Sequence, residues 1–301
     1  MTTPPPLQPN DTIGITCPAR KMTAEELAPA IVLFESWGYR VKLGNTIGGE
    51  YDQFSGTDEE RAADMQQMLD NPTVKAIVSA RGGYGNVRIV DKLDWTRFHQ
   101  NPKWLVGYSD STVMHAHLQK LGFASLHAPM PLGFKTNTTE ALDSIHAALS
   151  GKTLAYTVAP HEYNRMGVAE GELIGGNLSV LISISGSASD IDTKGKILFL
   201  EDLDEYLYHI DRMMNQLDRS GKLEHLAGLV IGGMSDMKDN AIPFGKDAYQ
   251  IVQERVAKYG YPVCYDFPAG HIDDNRTLIM GAQHKLEVAS DLVSLLSVHS
   301  R

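Results

Sequence analysis

The chain has 301 residues, 43% of them hydrophobic and 21% charged, with a formal net charge of −10. That is enough for one large or two medium hydrophobic cores. No Lys/Arg run offsets the acidity, which excludes a nucleic-acid backbone as the expected partner, and the charge itself reads as solubility. Cys17 and Cys264, the two cysteines, form neither a disulfide framework nor a Cys-x-x-Cys knuckle, which suits a reducing compartment. The opening Met-Thr-Thr-Pro-Pro-Pro has no basic or apolar signal segment, and no apolar run approaches about 18 residues. A cytoplasmic protein with no membrane span is expected.

The first half reads as alternating strands and helices. Asp11–Thr16 is a short β-rich run, followed by a loop at Cys17-Pro18-Ala19. Thr23–Trp37 has apolar residues at Leu27, Ile31, Phe34 and Trp37, a helical period, and Thr23 with Glu26 forms a capping box. Tyr39–Leu43 is a strand, Asp58–Leu69 a helix and Val74–Ser79 a strand. Short connections between such elements imply a flavodoxin- or Rossmann-like parallel sheet, whose ligands bind beyond the carboxyl ends of the strands. Trp104–Val106 ends a further strand, Gly107 turns the chain, and a helix starts near Ser111.

From Leu132 to about Gly171 the pattern loosens around one helix, Glu140–Leu149. The chain thus divides into an α/β domain at 1–135, a connection at 136–170 and a smaller, β-rich α+β domain at 171–301. In the last, Gly175-Gly176 reads as a turn leading into an apolar segment. Lys196–Leu200 reads as a buried strand that Glu201 terminates, and Glu205–Leu217 as an amphipathic helix. Leu229–Met234 is a strand and turn, Asp247–Lys258 a helix, and Tyr261, Thr277–Gly281, Lys285–Val288 and Leu292–Leu296 mark further strands.

Three stretches carry candidate chemistry. Arg81-Gly-Gly-Tyr-Gly85 follows a strand directly, and its glycines suit either an anion-holding backbone nest or a turn requiring positive φ. It lacks the Lys-Ser/Thr of a phosphate loop. Ser109, in Gly107-Tyr-Ser-Asp-Ser111, stands at a strand–turn–helix apex as a nucleophile-elbow serine does, although a plain turn or cap has the same signature. A serine nucleophile needs a base, a group to orient it and oxyanion donors. Of the eleven histidines, His271 stands out in a loop of turn formers, Phe267–Asn275, whereas His115 and His117 read as helix residues. Glu201 is the leading carboxylate to orient it. Asp202 and Asp204 are rivals, and all three carboxylates suit a helix cap equally. His271-x-Asp273-Asp274 also suggests a metal ligand set, but no second cluster accompanies it.

Arg-Gly-Gly-Tyr-Gly, Gly-Tyr-Ser-Asp, Gly-Gly-Asn-Leu, Leu-Phe-Leu-Glu-Asp and Gly-His-x-Asp-x-Asn, in this order from about Asp11 to Val288, resemble the L,D-carboxypeptidases of serine peptidase family S66. The resemblance implies a Ser109–Glu201–His271 triad in a cleft between two domains. It implies an oxyanion hole from the backbone N–H groups of Gly83 and Asp110, and Arg81 and Tyr84 become candidate substrate contacts. It further implies a homodimer, with no metal or cofactor, that removes D-alanine from the murein tetrapeptide L-Ala-D-Glu-meso-diaminopimelate-D-Ala during cytoplasmic cell-wall recycling. A second branch of the family hydrolyses peptidyl nucleotides of the microcin C type as self-immunity. A non-catalytic binding protein on the same scaffold is the reading from another class.

Overall fold

The computed structural model describes residues 1–298. Strand β1 (Thr12–Thr16) is buried from Ile13 onward, so both of its faces are covered. The Thr23 hydroxyl accepts the Glu26 N–H while the Glu26 carboxylate accepts the Thr23 N–H, and this reciprocal cap starts α1 (Ala24–Ser36). After β2 (Arg40–Leu43), Thr57 and Glu60 start α2 (Asp58–Asp70) in the same way. Next come β3 (Val74–Ser79), short helices α3 (Asn86–Ile89) and α4 (Thr96–Gln100), and β4 (Trp104–Gly107). A single 3-10 turn, Ser109–Ser111, leads into α5 (Thr112–Lys120) and β5 (Ser125–His127). These five strands pair in parallel in the order β5-β4-β3-β1-β2, the flavodoxin-like winding. The strand order reverses between β1 and β3.

The stretch 136–170 is well structured. Helix α6 (Thr139–Leu149) buries Ile145 and Leu149, and β6 (Ala155–Val158) is an edge strand of a second sheet. Strand β7 (Gly167–Asn177) runs straight through Gly175 and Gly176, where a turn was expected, because its parallel pairing with the next strand continues to Asn177. Asn177 then caps α7 (Leu178–Ser183). Strand β8 (Ile197–Leu203) continues past Glu201 rather than ending there. Helix α8 (Leu207–Arg219) begins at Tyr206 without a side-chain cap, so none of the three nearby carboxylates serves as one.

The remaining elements are β9 (Gly228–Ser235), α9 (Ala248–Val256), β10 (Val263–Cys264), β11 (Leu278–Met280), β12 (Gln283–Val288) and β13 (Val293–Ser297). The second sheet has the order β10-β9-β8-β7-β12-β13-β6, parallel from β10 to β7 and antiparallel beyond. The strand expected over Thr277–Gly281 forms as β11, but it pairs antiparallel with β5 and closes the edge of the first sheet.

The two sheets share their cores. Val113, Met114 and Leu118 of α5 lie in one apolar cluster with Ile174, Leu198 and Leu200 of the second sheet. Val106 and Leu126 lie in another with Phe199, Val230 and Phe267. This burial holds the carboxyl ends of β4 and β8 in fixed relation, at roughly 25 cal/mol for each Å² of apolar surface removed from water. Among the described residues no helix is long and apolar enough to cross a membrane.

Candidate active site

Ser109 leaves the end of β4 with φ of 62°, in the left-handed region. For a residue bearing a Cβ this costs about 1–2 kcal/mol. The strain is that of an elbow that lifts a hydroxyl off the sheet edge. His115, fully buried on α5, holds the strand end from behind. Its Nε2 lies 2.8 Å from the Gly107 carbonyl, which can only accept, so Nε2 donates and Nδ1 accepts the Ser125 hydroxyl at 2.8 Å. Burial pushes its pKa down to about 4, so it stays neutral and structural. His117 is half-buried and meets the Ser189 hydroxyl at 2.9 Å.

Glu201 and His271 are brought together from opposite ends of the second half. The pairing of β8 with β9 shifts register between Leu200 and Asp202, a bulge that re-aims Glu201. The Glu201 side chain is 0% exposed and that of His271 14%. Glu201 Oε2 accepts the His271 Nδ1–H at 2.7 Å and the His271 backbone N–H at 3.2 Å. Gly270 permits this approach. With φ of +109°, a Cβ there would lie 2.7 Å from Glu201 Oε2. The loop is tied down further by Asn275 Oδ1, which accepts the Gly270 N–H at 2.8 Å, and by the Ser235 hydroxyl donating to the His271 carbonyl at 2.7 Å. With Nδ1 committed, Nε2 is the nitrogen left for proton transfer. Burial alone would lower the His271 pKa, but the Glu201 charge and hydrogen bond, with Asp202 behind, raise it above the ordinary histidine value.

Tyr108 joins the pair to the elbow. Its ring lies 4.8 Å from the His271 imidazole, and Ser109 is the next residue. Burial, and then the Glu201 charge, push the Tyr108 hydroxyl up to about 12, so it stays protonated. Below it His127 is enclosed between Tyr108, at 5.7 Å, and Phe199, at 4.9 Å. Burial holds that imidazole neutral as well. Nothing in the sequence had singled out His127.

The Arg81–Gly85 loop borders the serine. A Cβ on Gly82 would lie 3.2 Å from Ser109 Oγ, and the Gly83 N–H belongs to the peptide that leaves Gly82. Two buried residues fasten the loop. Asp110 Oδ2 accepts the Asn86 backbone N–H at 2.9 Å and the Asn86 side-chain N–H at 2.7 Å. Arg61, 1% exposed, donates from Nη1 to the carbonyls of Pro18 at 2.6 Å and Gly85 at 3.1 Å, and pairs with Asp58. In the sequence Arg61 sits among Asp58, Glu59 and Glu60 and looks like surface charge, so no pattern could have flagged it. Its Nε donates as well to the Gly56 carbonyl at 3.2 Å, so replacing Arg61 by Met strands three carbonyls at about 1–2 kcal/mol each. Thermal unfolding of Arg61→Met is therefore expected several degrees below that of the unmodified protein. An unchanged midpoint would mean that those carbonyls find other donors.

A second hydrogen-bond chain crosses between the halves. The Asn177 N–H donates to Thr112 Oγ1 at 3.0 Å, and Asn177 Nδ2 donates to Asp202 Oδ1 at 2.9 Å. The helix that follows Ser109 is thereby linked to the strand that carries Glu201. Arg81 donates from Nη1 to the Lys21 carbonyl at 3.2 Å, and Tyr84 is 44% exposed beside Phe54. Among the described residues no three His, Cys, Asp or Glu side chains are grouped to hold an ion.

A strained serine at a strand–helix turn, with a histidine–carboxylate pair packed against the residue before it, fits the layout of a serine hydrolase. Residues 13–128 match the family model described as the LD-carboxypeptidase N-terminal domain, and residues 170–286 match the LD-carboxypeptidase C-terminal domain. The probable murein peptide carboxypeptidase of Bacillus subtilis strain 168 is 33% identical, over 95% of this chain and 92% of its own. The crystal structure of muramoyltetrapeptide carboxypeptidase from Oxalobacter formigenes superposes with a TM-score of 0.87 at 29% identity, covering 96% of this chain and 99% of that one. The microcin C7 self-immunity protein MccF of Escherichia coli is 24% identical over 96% of this chain and 94% of its own. The chain belongs to the S66 peptidase family and is a serine-type LD-carboxypeptidase.

Proposed function

We propose that this enzyme removes the terminal D-alanine from the murein tetrapeptide, using Ser109 as nucleophile, His271 as general base and Glu201 to orient it. The observation that carries the reading is the 2.7 Å contact of His271 Nδ1 with the fully buried Glu201, with the His271 ring packed on Tyr108, the residue before the strained serine. Ser109 attacks the carbonyl of the L-centre of diaminopimelate while His271 Nε2 takes its proton. The backbone N–H groups of Gly83 and Asp110 receive the oxyanion. His271 then protonates the departing D-alanine amine, and water, activated by the same imidazole, frees the tripeptide. The reaction belongs to cytoplasmic cell-wall recycling, and the working form is a homodimer. For the domain division, an α/β unit at 1–135 and a Glu/His-bearing unit at 171–301 are supported by the gap between the two family matches, 13–128 and 170–286.

The likeness to MccF favours a second substrate class, an aminoacyl or peptidyl nucleotide. A nucleobase calls for an open aromatic face. Trp95 and Trp104 are buried and Trp37 stacks on His146 at 4.8 Å, so the tryptophans offer none, and Tyr51, Tyr84, Tyr206 and Tyr208 are the exposed tyrosines. Incubation with murein tetrapeptide and, separately, with an aminoacyl sulfamoyl adenylate decides between them. Free D-alanine and tripeptide are expected from the first and no hydrolysis from the second. The reverse pattern would move the enzyme to the immunity branch.

A further inference from the structure

We infer that Arg20 reads the free terminal carboxylate of the substrate and so restricts the enzyme to removing a last residue; this rests on the peptide-hydrolase reading above. Arg20 lies in the loop that leaves β1, and Gly83 in the loop that leaves β3. These two strands flank the point where the sheet order reverses, the crevice in which open α/β sheets bind ligands. The Arg20 side chain runs directly across Gly83. A Cβ on that glycine, whose φ is +108°, would lie 2.5 Å from Arg20 Cδ, 2.7 Å from Cγ and 2.8 Å from Nε. The aliphatic stem thus covers the loop that borders Ser109, and the guanidinium is left at the surface.

Two of the neighbouring cations are held in ion pairs, and the other two differ from Arg20 in where they lie. Lys21 pairs with Glu50, and Arg61 is spent on Gly56, Pro18, Gly85 and Asp58, while Arg81, half-buried, donates from Nη1 to the Lys21 carbonyl and keeps a buried Nε without a partner among the described residues. Lys135 lies on the Glu26 side of the cleft: the Thr23 N–H chiefly holds the Glu26 carboxyl low, and the charges of Arg81 and Lys135 add to it. Arg20 has no ion pair and no side-chain hydrogen bond among the described residues. A carboxypeptidase must detect an anion one residue beyond the scissile carbonyl, and a planar guanidinium binds a carboxylate through two parallel hydrogen bonds. With a net charge of −10, the protein repels an acidic peptide at long range, so a local free cation is needed at the point of docking.

The test compares the tetrapeptide with its C-terminal amide, using the full-length protein, Arg20→Ala, Arg20→Lys and Lys135→Ala. The unmodified enzyme is expected to prefer the free acid strongly. Arg20→Ala should raise KM for the acid about 30- to 100-fold, the loss of one charged hydrogen-bonding partner, with kcat changed only a few-fold. The preference for acid over amide should collapse, Arg20→Lys should recover part of it, and Lys135→Ala should retain it. Because Arg20 is exposed, all variants should melt with the unmodified protein. If the unmodified enzyme releases D-alanine and Arg20→Ala keeps the acid preference, the Arg20 assignment falls alone. If Lys135→Ala loses the preference instead, the carboxylate is read by that residue and the assignment is likewise overturned. If the unmodified enzyme releases no D-alanine, the peptide reading falls and Arg20 with it.

Discussion

Ser109→Ala is expected to release D-alanine from the tetrapeptide on the order of 10⁴- to 10⁶-fold more slowly than the unmodified enzyme. The variant keeps the left-handed backbone at position 109, along with the Gly82 contact and the Asp110–Asn86 anchor, so substrate binding should survive. A single-turnover experiment separates the two effects: tetrapeptide should bind the variant with near-normal affinity and remain uncleaved. Undiminished turnover would sink the nucleophile assignment. A residual rate of a few per cent would point to an adventitious hydrolase, since a missing nucleophile leaves far less.

The second large effect is expected at Glu201. Glu201→Gln preserves shape but removes the charge that faces His271 Nδ1, and kcat should fall by about 10²- to 10⁴-fold. The pH dependence should change with it. In the unmodified enzyme burial pulls the His271 pKa down, while Glu201 and Asp202 push it up further, for a net rise. The base works only when neutral, so kcat/KM should climb through a value above the usual 6.5 or so. In Glu201→Gln burial dominates and the acid limb should move to lower pH. A limb that stays in place would mean that another group titrates.

The same pair has a stability consequence of opposite sense. A group whose folded pKa is raised stabilises the fold fully below its unfolded value, about 6.5, and that contribution is lost as pH rises through the folded value. The enzyme therefore gives up this stability over the range in which its base becomes active.

Much of the first half was legible because its signals are local. The reciprocal cap of Thr23 with Glu26 and the apolar period of Asp58–Leu69 act within a few residues, and both appear in the structure, whereas Gly107, expected to turn the chain, is the last residue of β4 and the turn falls at Ser109. What was not legible depends on partners far along the chain. Gly175-Gly176 reads as a turn from its neighbours alone. In the fold it is strand, because β8 continues the pairing and Thr112 takes the next N–H. Leu278–Met280 is apolar enough for a strand, but three residues carry no information about which sheet will receive them. Arg61 and His127 illustrate the same limit for the site. A charged residue on a helix and a histidine at a strand end look alike whether they face solvent or hold an active-site loop. Ser109 and His271 were singled out by distinctive loops and Glu201 by an expected strand end that the structure carries on to Leu203, and the 2.7 Å contact brings two of the three together.

The pairing of β11 with β5 bears on the order in which the protein is made. A nascent chain emerging amino end first completes β1 through β5 early and can wind them into the first sheet. It then carries an open edge at Ser125–His127 until Leu278–Met280 emerges, after every strand from β6 to β10. An unpaired strand edge is a template for joining other chains. During translation the hazard lies beside Gly107 and Ser109, since β5 is the immediate neighbour of β4. The sheet edge beside the nucleophile therefore stays open to misassembly until most of the second sheet has been made.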